Sequence, residues 1–162
     1  MIRVCCSCKK EFPLSSFPKA DNKTGHRYRC AICCRQRANE NKTNNVRIYL
    51  ADVLKTSKQM VAKRKISDYE LDIDFLVDLF EKQNGKCAIS GLQMTHIAGK
   101  GCVPTNISID RISNDLGYTK NNVHLTCRFI NQAKMGMTMN EFKDVMYKTF
   151  TNMFQQGNSS QE

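Results

Sequence analysis

Residues 107–134 decide how this chain folds, and they read ISIDRISNDLGYTKNNVHLTCRFINQAK. Apolar and polar residues alternate over 107–112 and again over 123–126, which is the two-residue period of a half-buried strand. The loop between these runs is rich in turn-forming residues and contains Gly117. Helical spacing begins after the second run and reaches Lys134. The stretch therefore predicts two strands joined by a loop and followed by a short helix.

Three more helices are predicted outside this stretch. Apolar residues at helical spacing predict one helix near 45–64 with a basic surface, and another near 73–83. Asp72 precedes the second of these helices, where a carboxylate favours a helix start. Thr138 and Glu141 have the spacing of a capping box and predict the start of a last helix.

The charge of the chain is unevenly distributed. The 162 residues carry 25 Lys and Arg against 15 Asp and Glu, a net charge of +10. Residues 1–66 hold 16 basic and 4 acidic side chains, whereas 67–162 hold 9 and 11. Such a basic half favours a polyanionic partner, above all DNA, although a solvated basic surface has the same composition. The candidate contacts with DNA in this half are Arg47, Lys63, Arg64 and Lys65.

Membrane and secreted classes of protein are not favoured. No apolar run approaches the ~18–20 residues that span a bilayer, so no membrane partner is expected. The first eight residues are too short and too rich in cysteine for a signal peptide. We expect an intracellular protein of the host cytoplasm or nucleoid, where reduced thiols bind metal rather than form disulfides.

Two cysteine pairs predict a structural zinc site. The pairs share the C-x-x-C spacing and lie in residues 1–36, and their members are Cys5, Cys8, Cys30 and Cys33. Four thiolates satisfy one tetrahedral Zn²⁺ and leave no open position for water. A pair of disulfides is the alternative. Cys6 and Cys34 are predicted to be free thiols, and Cys102 has no assigned role.

The segment around 84–136 resembles the HNH endonucleases, also named His-Me finger or ββα-metal nucleases. The resemblance depends on Asp110, Asn122 and Asn131 standing in register around Gly117. With the cysteine pairs, the layout is similar to the PacI-like branch and to phage and viral HNH proteins, including freestanding homing endonucleases.

The resemblance implies an α+β fold in three parts. These parts are a zinc ribbon at 1–36, a basic helical linker at 37–70 and an HNH nuclease domain with a C-terminal helix at 71–162. Related chains often carry a second four-cysteine site around the finger. Here Cys87 and Cys127 are single cysteines, so we predict that they pack as small buried hydrophobes and that the chain binds one zinc.

The resemblance also implies roles for individual residues. Asp110 and Asn131 are the expected ligands of a catalytic Mg²⁺ or Mn²⁺, because both ions prefer hard oxygen ligands. Asn122 is expected to brace the loop, and Lys134 is added to the DNA contacts because it lies one turn beyond Asn131. Arg111 stands where the family usually has its general-base histidine, and we expect it to clamp the scissile phosphate.

The general base must then come from elsewhere. His96 lies in the loop before the hairpin and is the first choice, and His124 on the second strand is the second. Tyr118 is the third, with loop packing as its other role.

These patterns predict a metal-dependent DNA endonuclease of phage or viral type, related to homing or restriction enzymes. The alternatives are a non-catalytic zinc-ribbon protein that binds nucleic acid with a decayed finger, and a nuclease that acts on RNA. Cutting both strands of a duplex would need a homodimer or two binding events.

Overall fold

A computed structural model describes residues 1–64, 66 and 68–157. The chain divides into two compact units. The ribbon unit comprises Met1–Tyr49 with His96–Cys102, and the finger unit comprises Leu50–Thr95 with Val103–Glu162. Helices and two separate antiparallel hairpins are the main elements of the described residues, so the predicted α+β class is confirmed. The division into segments ending at residues 36 and 70 stays a prediction.

The ribbon unit is built around cysteine. Strands β1 (Ile2–Val4) and β2 (Glu11–Pro13) pair antiparallel, and helix α1 (Ala31–Asn44) follows the second cysteine pair. Its buried core consists of Phe17 and three of the paired cysteines, with Phe12 packed against them. Because thiols supply most of this core, little apolar surface holds the unit together.

Helix α1 was not among the predicted helices. Its sequence AICCRQRANENKTN has no apolar stripe, and Cys33 is its one buried residue. The helix begins directly after Cys30, which is its N-cap residue. Its position is therefore determined by the cysteine pair and not by helical periodicity.

Two predicted helices lead into the finger. Helix α2 (Val46–Arg64) buries Leu50, Leu54 and Val61, and helix α3 (Ile73–Lys82) buries Leu76. Asp72 caps α3, since its carboxylate accepts a 2.8 Å hydrogen bond from the Phe75 N–H. Both predicted helices are confirmed to within two residues.

The finger is a ββα arrangement, as the opening stretch predicts. Strands β3 (Ile107–Arg111) and β4 (Val123–Cys127) pair antiparallel, with Asp110 opposite His124. Helix α4 (Arg128–Lys134) follows β4 directly and packs on both strands. The apolar side chains of the hairpin form its buried face, and Leu125 is fully buried.

Helix α5 (Met139–Gly157) begins at the predicted capping box. The Thr138 N–H donates to the Glu141 carboxylate at 2.8 Å, and the Glu141 N–H donates back to the Thr138 hydroxyl at 3.3 Å. The first of these bonds lowers the pKa of Glu141. Phe142 is buried, whereas Phe150 is exposed farther along the helix.

Within the described residues, no helix combines the length and apolar character needed to cross a membrane.

The loop between β3 and β4 forms backbone hydrogen bonds with residues 68–70, a contact that the sequence did not predict. The Tyr118 N–H donates to the Asp68 carbonyl at 2.8 Å, and the Glu70 N–H donates to the Tyr118 carbonyl at 3.0 Å. A Cβ atom on Gly117 would lie 2.3 Å from the Asp68 carbonyl oxygen. This close backbone approach requires glycine at residue 117.

Gly117→Ala is expected to destabilise the finger unit by about 1–3 kcal/mol, because a backbone carbonyl cannot move aside as a flexible side chain can. Urea unfolding measures this loss. Gly136→Ala is the matched control, since a Cβ there meets nothing within 4 Å. Equal unfolding midpoints for the two variants would contradict the close approach at Asp68.

Candidate metal centre and candidate active site

The four paired cysteines converge in the ribbon unit. The sulfur atoms of Cys5, Cys8, Cys30 and Cys33 all lie within 4.8 Å of one another. Zn–S bonds of about 2.3 Å place four thiolates roughly 4 Å apart around a tetrahedral ion, so the donors and their spacing fit one structural Zn²⁺. In the described part of the chain, no other group of three or more His, Cys, Asp or Glu side chains converges in this way.

Backbone donors already face one sulfur of this cluster. The Cys30 N–H lies 3.3 Å from the Cys5 sulfur and the Ser7 N–H lies 3.4 Å from it. The Cys30 N–H is the main cause that lowers the pKa of the Cys5 thiol to about 6. Burial is the main cause that raises the pKa of the Cys33 thiol to about 12.

The remaining cysteines divide by burial. Cys87 and Cys127 are 2% and 0% exposed, which confirms their predicted burial. Burial is the main cause that raises the pKa of Cys127 to about 11, so this thiol stays protonated at neutral pH. Cys6 and Cys102 are exposed, and the Cys34 thiol lies 3.6 Å from the Arg29 carbonyl.

A second cluster occupies the finger unit, and we name its members, Asp110, His124 and Lys134, the Asp110 cluster. His124 Nε2 lies 2.8 Å from Asp110 Oδ2 across the hairpin. Lys134 Nζ, reaching from α4, lies 3.3 Å from Asp110 Oδ1 and 3.2 Å from Oδ2. The same ammonium donates to the Arg111 carbonyl at 2.9 Å. A buried carboxylate is thus held by an imidazole and a buried ammonium.

Lys134 is buried and is not presented at the surface. Its side chain is 0% exposed and is hydrogen bonded to Asp110. Its contact with DNA stays a prediction. Burying an ammonium is costly without a paired charge, which explains why Lys134 and Asp110 occur together.

Asn131 is anchored to the two residues that precede Asp110 on β3. Its amide nitrogen donates to the Ser108 hydroxyl at 2.8 Å and to the Ile109 carbonyl at 2.9 Å. No donor among the described residues bonds its amide oxygen, which is left available to a ligand. A carboxylate offers about four lone-pair positions, and His124 and Lys134 use three at Asp110. Carboxylate and amide oxygens are the hard ligands that Mg²⁺ and Mn²⁺ prefer, and Lys134 competes for the Asp110 carboxylate.

Arg111 is only partly available for the predicted phosphate clamp. One terminal nitrogen donates to the Asn114 carbonyl at 3.0 Å and to the Leu116 carbonyl at 2.9 Å. The guanidinium also lies over the Tyr118 ring, 5.4 Å from its centroid. Tyr118 in turn packs 5.9 Å from the Tyr69 ring. The other two nitrogens of Arg111 are the ones that a phosphate would meet.

Asn122 forms hydrogen bonds across the loop between β3 and β4. This side chain is 4% exposed. Its amide nitrogen donates to the Ser113 and Gly117 carbonyls at 3.0 and 2.9 Å, and its oxygen accepts the Ser113 N–H at 2.9 Å. All three bonds close the loop on itself, so Asn122 fixes the geometry around Arg111.

His96 does not belong to the Asp110 cluster. It lies in the ribbon unit, where its ring is 6.2 Å from the Tyr49 ring. Its Nδ1 is buried and has no hydrogen-bond partner among the described residues. The histidine that contacts Asp110 is His124, and the role of His96 as general base stays a prediction.

The predicted DNA contacts on α2 lie at its two ends. Arg47 is exposed on the first turn, and Lys63 and Arg64 are exposed on the last. Lys65 lies outside the described residues. Their roles in DNA binding stay predictions.

No protein-family model matches the chain, and no curated protein matches it. A solved structure described as the rare-cutting HNH restriction endonuclease PacI is similar over 96% of this chain and 98% of that chain. The TM-score is 0.45 and the sequence identity is 14%. A likeness this distant does not establish a shared family, so any assignment of function depends on the residues of the finger unit.

Proposed function

We propose that this protein is a metal-dependent DNA endonuclease of the HNH type, which hydrolyses phosphodiester bonds. The observation that carries the proposal is the buried Asp110 carboxylate, held between His124 and Lys134, with Asn131 bonded to the Ile109 carbonyl that precedes it. Hard oxygen donors can hold a divalent ion, and an imidazole can accept a proton, which are two functions that assist phosphodiester hydrolysis.

Each residue of the site has a proposed task. Asp110 and Asn131 would hold Mg²⁺ or Mn²⁺, and the bound ion would stabilise negative charge on the phosphate and the leaving oxygen. Lys134 positions Asp110. When His124 donates its Nε2–H to Asp110, Nδ1 carries the lone pair and can take a proton from water. The free nitrogens of Arg111 would bind the scissile phosphate.

His124→Ala is expected to slow cleavage by about 10²–10⁴-fold with little change in DNA affinity, because it removes the proton acceptor. Single-turnover nicking rates and DNA affinities from anisotropy measure the two quantities. His96→Ala is the comparison variant. If it loses the rate and His124→Ala does not, then His96 is the base.

The test of the proposed function is nicking of supercoiled plasmid with Mg²⁺ or Mn²⁺. Because one site cuts one strand, the expected first product is the open circle, and EDTA added just before the DNA should prevent it. Asp110→Asn should abolish nicking, whereas Asp115→Asn, an exposed carboxylate on the neighbouring loop, should not. Binding without nicking under either ion would favour the non-catalytic binder. Cleavage of RNA alone would reassign the substrate.

A further inference from the structure

Most of the net positive charge belongs to the ribbon unit. This unit contains 12 basic and 3 acidic side chains, whereas the finger unit contains 13 and 12. The net charges are therefore +9 and +1. The positive electrostatic potential of such a small unit attracts a polyanion to its surface.

Three adjoining grooves on the ribbon unit share their arginines. Arg27, Arg29 and Cys34 line the first groove and also the second, which adds Arg37 and Asn41. Arg29, Arg37 and Asn41 continue into the third. The three grooves adjoin because each shares lining residues with the next, and we name them together the arginine groove.

Three guanidinium groups and one carboxylate, that of Glu40, line this groove. Among the described residues, none of Arg27, Arg29 and Arg37 forms an ion pair with a carboxylate. Arg27 and Arg37 are exposed, and Arg29 is half-buried. Three like charges along the arginine groove repel one another, and an anionic ligand would relieve that repulsion. The planar guanidinium fork matches the oxygens of a phosphate group.

The cysteine cluster holds this groove in shape. Arg29 directly precedes Cys30, and α1 begins at the following residue and carries Arg37. The backbone that presents both arginines is thus anchored at the candidate zinc site. A groove on a fixed backbone can bind consecutive phosphates without the ordering cost of a flexible basic tail.

We propose that the arginine groove binds the phosphodiester backbone of DNA. The proposal rests on the endonuclease function for the identity of the nucleic acid, and it assigns DNA binding to residues that the sequence did not single out. Contacts with phosphate fix the position of a protein on a duplex without reading bases. The ribbon unit would therefore bind DNA of any sequence.

The test compares two triple substitutions of equal charge. Arg27→Gln, Arg29→Gln and Arg37→Gln remove the groove arginines, whereas Lys10→Gln, Lys19→Gln and Lys23→Gln remove exposed lysines of the same unit outside the groove. Affinity for a duplex oligonucleotide is measured by anisotropy over a salt series, and zinc content confirms that each variant is folded. The groove variant should bind at least tenfold more weakly, and its log–log salt slope should fall by about 2–3. Equal losses in both variants would overturn the proposal.

A second measurement uses thiols that the chain already has. Cys6 is exposed and lines the groove beside Arg27, whereas Cys102 is exposed and lines none of the three grooves. In the zinc-loaded protein, a duplex should slow alkylation of Cys6 by N-ethylmaleimide and leave Cys102 unchanged. Unslowed labelling of Cys6 at saturating DNA would count against the groove.

The two proposals fail separately. Protection of Cys6 by DNA in a protein that never nicks plasmid would keep the groove and overturn the endonuclease function. Normal nicking with no protection of Cys6, and with no loss of affinity in the groove variant, would keep the endonuclease and overturn the groove.

Discussion

Removal of zinc is expected to unfold the hairpin and α1 of the ribbon unit. Zinc binding contributes about 10–16 kcal/mol to the folding of small zinc domains at neutral pH. Here the buried core consists of Cys5, Cys30, Cys33 and Phe17, so most of the core is itself the ligand set. Without the ion, the apolar surface left to bury is that of Phe17 and Phe12.

Metal analysis of the purified protein should give one zinc per chain, and NMR spectra should lose the dispersed signals of the ribbon unit after chelation. Cys30→Ser should have the same effect without a chelator. Cys102→Ser is the control, because Cys102 is exposed and lies outside the cluster. A ribbon that keeps its signals without metal, or a content of zero or two zinc ions, would refute the prediction.

The affinity for zinc should fall as the pH is lowered. The unfolded metal-free ribbon exposes its cysteines, whose ordinary pKa of about 8.5 keeps them protonated at neutral pH, so they must release protons to bind zinc. Acid favours the protonated thiol and therefore opposes the metal. Competition with a chromogenic chelator at two pH values measures the direction of this effect.

Asp110→Ala is expected to destabilise the finger unit by about 3–5 kcal/mol, the usual cost of leaving a buried charge without its partner. The unpaired charge would be that of Lys134, whose side chain is 0% exposed. Urea unfolding of the variant measures the loss. The matched control is Asp144→Ala, which breaks an exposed ion pair with Lys148 and should hardly change the midpoint.

The double variant Asp110→Ala with Lys134→Met should recover much of that stability, because a buried ion pair can be replaced by apolar groups at little cost. This variant also separates folding from chemistry. It should be folded and should bind DNA, but it should not nick plasmid, since it lacks the carboxylate. If the double variant nicks DNA at the normal rate, Asp110 has no catalytic task.

The sequence by itself located the elements whose signals are local. Two C-x-x-C pairs predicted the cysteine cluster, alternation predicted β3 and β4, and the Thr138–Glu141 spacing predicted the start of α5. These patterns depend on residues a few positions apart, so the geometry of one turn or one strand is sufficient to explain them. The pairing of Asp110 with His124 depends on the register of the hairpin. The sequence named both histidine candidates but did not give this register.

Tertiary structure alone decided the features formed between distant residues. Lysine is usually a surface residue, yet the ion pair with Asp110, 24 positions away, makes the burial of Lys134 favourable. Gly117 is required by the carbonyl of Asp68, and the arginine groove combines a loop with a helix that has no apolar period. In each case the feature depends on a contact, or on an electrostatic interaction, between segments that only folding brings together. Local propensity carries no signal for such contacts, and the three-dimensional arrangement is needed to reveal them.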